Sequence, residues 1–170
     1  MIWFEELQNR KNISRIYTVY ERTFPEDERR DKTQFLALSE NPDVYIFSIK
    51  NEESSIGYLI LWEIEEFYFL EHFEIFEEFR NQKFGSEILL MLQEKYSKII
   101  LESEPAELNE IAEKRIHFYE RNGFSVIYKH YIQPAYSPEK HHLTLYLMSN
   151  FEVENLEVAV SKIHTTVYQK

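Results

Sequence analysis

Arg80-Asn81-Gln82-Lys83-Phe84-Gly85-Ser86 joins a run with strand periodicity directly to a run with helical periodicity. Upstream, Tyr68–Phe76 alternates, with Phe69, Glu71, Phe73 and Ile75 expected on one face and Leu70, His72, Glu74 and Phe76 on the other. Downstream, Ile88, Leu89, Leu92 and Tyr96 form a helical stripe through Glu87–Ser97. A helix that starts straight after a strand presents unpaired backbone N–H groups and a partial positive charge, which together suit a phosphate. Gly85 lets that backbone approach a ligand closely, and Arg80 and Lys83 add positive charge. A plain tight turn that needs one glycine accounts for the same seven residues equally well.

Elsewhere the pattern keeps switching between the two periods. Ile13, Ile16, Tyr17, Tyr20 and Phe24 predict an amphipathic helix that Pro25 stops. The charged stretch Pro25–Arg30 reads as a solvated loop, and a short helix follows over Lys32–Glu40. Val44–Lys50 and Ile56–Ile64 read as a hairpin around the polar turn Asn51–Ser55. Lys98–Ser103 is a short apolar run, as expected of a buried strand, and Glu107–Asn122 is helical between Pro105 and Gly123. Phe124–Tyr131 and His142–Met148 read as strands, and Leu156, Val160, Ile163 and Val167 trace a C-terminal amphipathic helix. The order predicts an α/β fold (α+β under a looser classification): a mixed sheet, parallel in its middle, covered by helices on both faces.

With 170 residues, 44% of them hydrophobic, the chain has the size and apolar content of one domain. Residues 1–150 are assigned to it and 151–170 to a helical extension packed on the same domain. Thirty acidic against 19 basic residues give a net charge of −11, which argues against a nucleic-acid partner. The excess is compatible with cationic or amine partners, although an acidic surface also simply serves solubility. Without cysteine, no disulfide or thiolate metal site can form. The six histidines show no HExxH spacing, and His141 and His142 would face opposite sides of a strand, so no metal is expected. The N-terminus lacks a signal-peptide pattern, and no apolar run approaches the roughly 20 residues that span a bilayer. A soluble, cytoplasmic protein with no membrane partner is the expectation.

Three glycines occur in the whole chain, and the last closes Phe118-Tyr119-Glu120-Arg121-Asn122-Gly123-Phe124. Together with Arg80–Ser86, this segment resembles the GNAT superfamily of acetyl-CoA-dependent N-acetyltransferases. The family motif Arg/Gln-x-x-Gly-x-Gly/Ala is matched as Arg80-x-x-Lys83-x-Gly85, with Lys83 in place of the first glycine. The family's Tyr before a Gly-Phe pair is matched by Tyr119, Gly123 and Phe124. The Asn often found seven residues before that Tyr is Ala112 here. Strand order agrees from about Ile2 to Met148.

The resemblance implies a centrally splayed sheet and acetyl-CoA as co-substrate. Its pyrophosphate would rest on Arg80, Asn81, Gln82, Lys83, Phe84, Gly85 and Ser86, and its pantetheine arm on the main chain of Phe73, Glu74 and Ile75. Tyr119 would be the general acid toward the departing thiolate. Glu71 is the first choice of general base, with Glu102 and Glu104 as second choices or as contacts to a cationic substrate. His72, expected on the other face, reads as structural. The Pro25–Arg30 loop would border the acceptor site, and Tyr131 and Tyr136 would form its other wall. A small-molecule or peptide amine would then attack the thioester directly in a ternary complex, on a monomer or homodimer. A non-catalytic acyl-CoA sensor or partner-binding module is the alternative.

Overall fold

The computed structural model describes residues 1–170. Seven strands form one sheet: β1 (Ile2–Glu6), β2 (Val44–Asn51), β3 (Ser54–Ile64), β4 (Phe67–Ile75), β5 (Ile99–Ser103), β6 (Ser125–Gln133) and β7 (Leu143–Ser149). Their spatial order is β1-β2-β3-β4-β5-β7-β6. Only β4 and β5 pair in parallel. The helices are α1 (Arg10–Thr23), α2 (Lys32–Ala37), α3 (Phe84–Tyr96), α4 (Glu110–Arg121) and α5 (Leu156–Val167). The predicted order of elements therefore holds, with ends displaced by up to three residues. Leu38–Glu40, expected within α2, tightens into a 3-10 turn.

The sheet separates two apolar layers. On one side Ile13, Tyr20, Phe35, Trp62, Phe69 and Ile163 pack together beneath α1, α2 and α5. On the other, Ile88, Leu92, Leu70, Ile116 and Tyr119 pack beneath α3 and α4. Ala159, Ile163 and Val167 of α5 belong to the first layer. No helix is long and apolar enough to cross a membrane.

Local chemistry explains where helices begin. Asn9, Asp31, Asn109 and Asn155 each accept a hydrogen bond from a first-turn backbone N–H of α1, α2, α4 and α5. The start of α3 has no such side-chain cap; its N-cap residue is Lys83, held left-handed at φ 66°. After α4, Gly123 takes φ 90°, the conformation a helix terminator requires there.

Two features of β4 shape the molecule. Its parallel pairing with β5 stops at Leu70↔Leu101, so Glu71–Ile75 runs on without a neighbour on that edge. Toward β3 the register shifts at the same point: Leu61 pairs with Leu70 and Ile60 with His72, leaving Glu71 as an extra, bulged residue. The bulge overturns the simple alternation expected for Tyr68–Phe76. Glu71 lies against Trp62 and His72 against Tyr20, both in the α1/α2/α5 layer, whereas Phe73 and Ile75 join Leu70 in the α3/α4 layer. Glu71 and His72 thus share a face, with His72 Nε2 3.7 Å from Glu71 Oε1.

Beyond the bulge β3 and β4 lie close. A Cβ added at Gly57 would come within 2.2 Å of the Glu74 carbonyl oxygen. Because backbone cannot yield as a side chain can, Gly57→Ala should cost about 1–3 kcal/mol, read as a lower denaturation midpoint with an unchanged m-value.

Candidate active site

Where β4 and β5 part, a cleft of about 720 Å³ opens across the sheet. Phe73, Glu74 and Ile75 of β4 and Glu102 and Ser103 of β5 line it. So do Arg80, Asn81, Lys83, Phe84, Gly85 and Ser86 from the turn before α3, and Tyr119 from α4. Of the expected coenzyme contacts only Gln82 is absent from the lining; its amide donates to the Glu78 carbonyl at 3.2 Å.

The turn is built as an anion cradle. None of the backbone N–H groups from Asn81 to Ser86 has a hydrogen-bond acceptor within the protein. Asn81 and Lys83 both hold positive φ, 62° and 66°, the kind of backbone conformation in which successive N–H groups can form an anion-binding concavity. A non-glycine residue pays for this conformation with about 1 kcal/mol of strain, and Lys83 does so at the position where the motif has glycine. Gly85 has a different role from the one its sequence suggests. Its φ is not left-handed, and an added Cβ would meet the Phe118 ring at 3.0 Å, so the glycine lets α3 pack against α4. Arg80 donates to the Ile75 carbonyl at 2.9 Å and stands 3.5 Å from Glu74. Lys114 and Arg115 of α4 also line the cleft. They carry no motif, and only the docking of α4 beside the turn brings them there.

Tyr119 lines the cleft and is 8% exposed, and its hydroxyl makes no hydrogen bond within the protein. Burial pushes this phenol above its usual pKa, so it is protonated throughout the neutral range. Two other polar atoms are buried without a partner on cleft-lining side chains: Ser103 Oγ and Glu74 Oε2. Buried orphans of this kind are uncommon in native proteins. Ala112, by contrast, is buried in the core and does not line the cleft.

The acidic end differs from expectation. Glu71 does not share a face with Phe73 and Ile75. Its fully buried carboxylate is in an ion pair with Arg30 and accepts from Trp62 Nε1 at 3.2 Å. Arg30 also donates to the Val167 carbonyl at 2.9 Å and lies over the Tyr136 ring at 4.8 Å. Burial raises the Glu71 carboxyl, and the guanidinium and indole N–H pull it back. Glu71 also lines the cleft, but its oxygens are engaged by Arg30 and Trp62. The Pro25–Arg30 segment is accordingly not wholly solvated, since Arg30 turns inward and is 5% exposed.

Glu102 also lines the cleft and has no guanidinium bonded to it. It accepts from the hydroxyl of Tyr131 at 2.5 Å and from Tyr168 at 2.8 Å. Burial, opposed by these two donors, pushes it up to about 8. At the cleft mouth Glu28 is pushed up to about 7 by burial and by the adjacent Glu104 carboxyl. Glu104 is itself 3.7 Å from Arg115. Tyr131 and Tyr136, expected as the acceptor wall, are buried behind it, and Gln133 and Leu145 line the wall instead. Register shifts along β6 at Val126/Tyr128 and Tyr128/Tyr131 remove the alternation from which that side-chain direction would be read.

Comparison with known proteins points in one direction. The model of the acetyltransferase (GNAT) family matches residues 11–124. YjbC of Bacillus subtilis (strain 168), provisionally named an acetyltransferase, is 30% identical over 103 residues, covering 59% of this chain and 52% of that protein. The match thus spans about half the length of that curated relative. A solved GNAT-family structure from Bacteroides thetaiotaomicron, also provisionally named an acetyltransferase, superposes with a TM-score of 0.90 at 27% identity, covering 100% of this chain and 99% of that one. Arabidopsis thaliana NAA60 in complex with acetyl-CoA shares the fold at a TM-score of 0.65 and 14% identity, covering 88% of this chain and 97% of that one.

The Arg30–Glu71 pair allows a test of this layout. Arg30→Met leaves a buried carboxylate without its counter-charge, which should cost about 3–5 kcal/mol at pH 7. The loss of Arg30 raises the folded-state pKa of Glu71 further, so the folded form gains affinity for a proton and the deficit shrinks as pH falls toward 5. Denaturant titrations at both pH values read the difference.

Proposed function

The chain belongs to the GNAT acetyltransferase family, and from that premise we propose that it transfers an acetyl group from acetyl-CoA to a primary amine. The observation that carries this reading is the polarity of the cleft. One side is a cradle of unpartnered N–H groups with Arg80 and Lys83; another holds the carboxylates of Glu28, Glu102 and Glu104; and the hydroxyl of Tyr119 faces the same space.

In this reading the residues divide the work. Arg80, Lys83 and the N–H groups of Asn81–Ser86 hold the pyrophosphate, and the open edge of β4 at Phe73–Ile75 offers main-chain partners to the pantetheine arm. The coenzyme, when bound, supplies an acyl group on a thiol leaving group. An N–H of the open β4 edge polarises the acyl carbonyl. Glu102 takes the proton from the amine, freeing the lone pair for attack on the carbonyl carbon. Tyr119 donates its proton as the carbon–sulfur bond breaks, so the thiol leaves neutral, and the proton released by the new amide nitrogen restores the phenol. Glu28 and Glu104, at the mouth, attract and orient a cationic acceptor. Assigning the base to Glu102 rather than Glu71 follows from the Arg30 ion pair, which ties up the latter.

Acetyl-CoA at about 100 times its Kd should stabilise the folded protein by about 2.7 kcal/mol; an unmoved Tm would remove the coenzyme site. A panel of diamines, polyamines and lysine-containing peptides, read by thiol release, tests transfer. Binding without release across the panel would make the chain an acyl-CoA-binding module instead. Tyr119→Phe should lower kcat about 100-fold while leaving the Kd for acetyl-CoA within a factor of two or so, and unchanged turnover would remove its acid role.

A further inference from the structure

The segment that follows the sheet reaches back into the cleft. Tyr168, at the C-terminal end of α5, is 7% exposed, and its hydroxyl lies 2.8 Å from both oxygens of Glu102. Tyr131 of β6, fully buried, donates to Oε1 of the same carboxylate. Oε1 therefore faces two phenols, whereas Oε2 faces only the shared Tyr168 hydroxyl and keeps acceptor capacity. The same end of α5 is pinned from the other side, since Arg30 donates to the Val167 carbonyl at 2.9 Å.

The distribution of donors between the two neighbouring carboxylates is unequal. Glu71 receives the only guanidinium of the cluster, and Glu102 receives neutral hydroxyls. A guanidinium would hold a carboxylate as a weak base, whereas phenols orient it without a full compensating charge. Burial raises both carboxyls, and they differ in what offsets it: a full counter-charge at Glu71 and neutral hydroxyls at Glu102.

We infer that Tyr168, with Tyr131, is a positioning residue that presents Glu102 Oε2 to the acceptor amine, so that the C-terminal segment is part of the reacting site. This rests on Glu102 being the base. The step moves one proton, from the amine nitrogen to Oε2, while the Tyr131 and Tyr168 protons stay in place. The charged and titratable groups packed around Glu102 are Arg30, Glu71, Tyr131, Tyr136 and Tyr168, and none of them is a lysine.

The test compares Tyr168→Phe, Tyr131→Phe and Glu102→Gln in the full chain, using the best amine of the panel above. Two readouts are followed: the pH profile of kcat/KM and the 13C titration of the Glu102 carboxyl, assigned by its absence in Glu102→Gln. Each Phe variant removes a donor to the carboxylate, so both midpoints should move up by about one unit. At pH 7 kcat should fall several-fold while the Kd for acetyl-CoA holds. Tyr131→Phe asks the same question should Tyr168→Phe fold poorly. A lowered Tm with both midpoints unmoved would mark the tyrosines as packing residues and overturn the proposal. Glu102→Gln at wild-type kcat would instead remove the base assignment, and the proposal with it.

Discussion

Backbone pairing between β4 and β5 cannot continue past Leu70 and Leu101, and the rest of the site depends on that interruption. One extra residue at Glu71 bends β4 and turns its following side chains over. The strand edge that loses its neighbour becomes a row of unpaired main-chain groups facing the cleft, a condition otherwise costly inside a protein. Here the open edge lies beside the N-terminus of α3, so unpaired strand and unpaired helix groups face the same space. The strained turn at Asn81 and Lys83 fits this pattern, because strain tends to persist where the surroundings enforce a binding geometry.

The bulge also creates the polar layer beneath the cleft. Glu71 follows Phe69 into the layer formed by α1, α2 and α5, and the bulge brings His72 to the same face, where the buried anion needs a cation to compensate it. Arg30 does so, and in reaching Glu71 it also ties the loop before α2 to the end of α5. His72, held well below its usual pKa by burial and by Arg30, packs as a neutral ring between Tyr20 and Phe24. Glu102 remains outside this compensation, held by phenols and open to the cleft. Burial raises Glu102, and the one guanidinium nearby is bonded to Glu71 instead.

Charge is distributed to match. In an acidic protein of net charge −11, Arg80, Lys83, Lys114 and Arg115 line the same cleft as Glu28, Glu102 and Glu104, with Arg115 3.7 Å from Glu104. The free backbone donors beside Arg80 and Lys83 favour an anion there. Lys83 contributes twice, as the left-handed residue of the turn and as a positive side chain at its rim.

Local patterns determined the element order, both helix-covered faces and the position of the phosphate turn. Periodicity, prolines and the glycine after α4 act over a few residues, and nothing distant overrides them. The turn Arg80–Ser86 and Tyr119 were legible for the same reason, as was the oddity at Lys83. The bulge was not, because alternation in Tyr68–Phe76 looks the same with or without one inserted residue; only pairing with β3 reveals that Glu71 has no partner. The partnership of Glu71 with Arg30, 41 residues away, and of Glu102 with Tyr168, 66 residues away, likewise depends on which helices cover the sheet. Sequence determined which turn leads into α3 and carries the positive side chains Arg80 and Lys83. Tertiary packing decided which carboxylate is paired with a guanidinium and which with phenols, since folding brings those partners from distant parts of the chain.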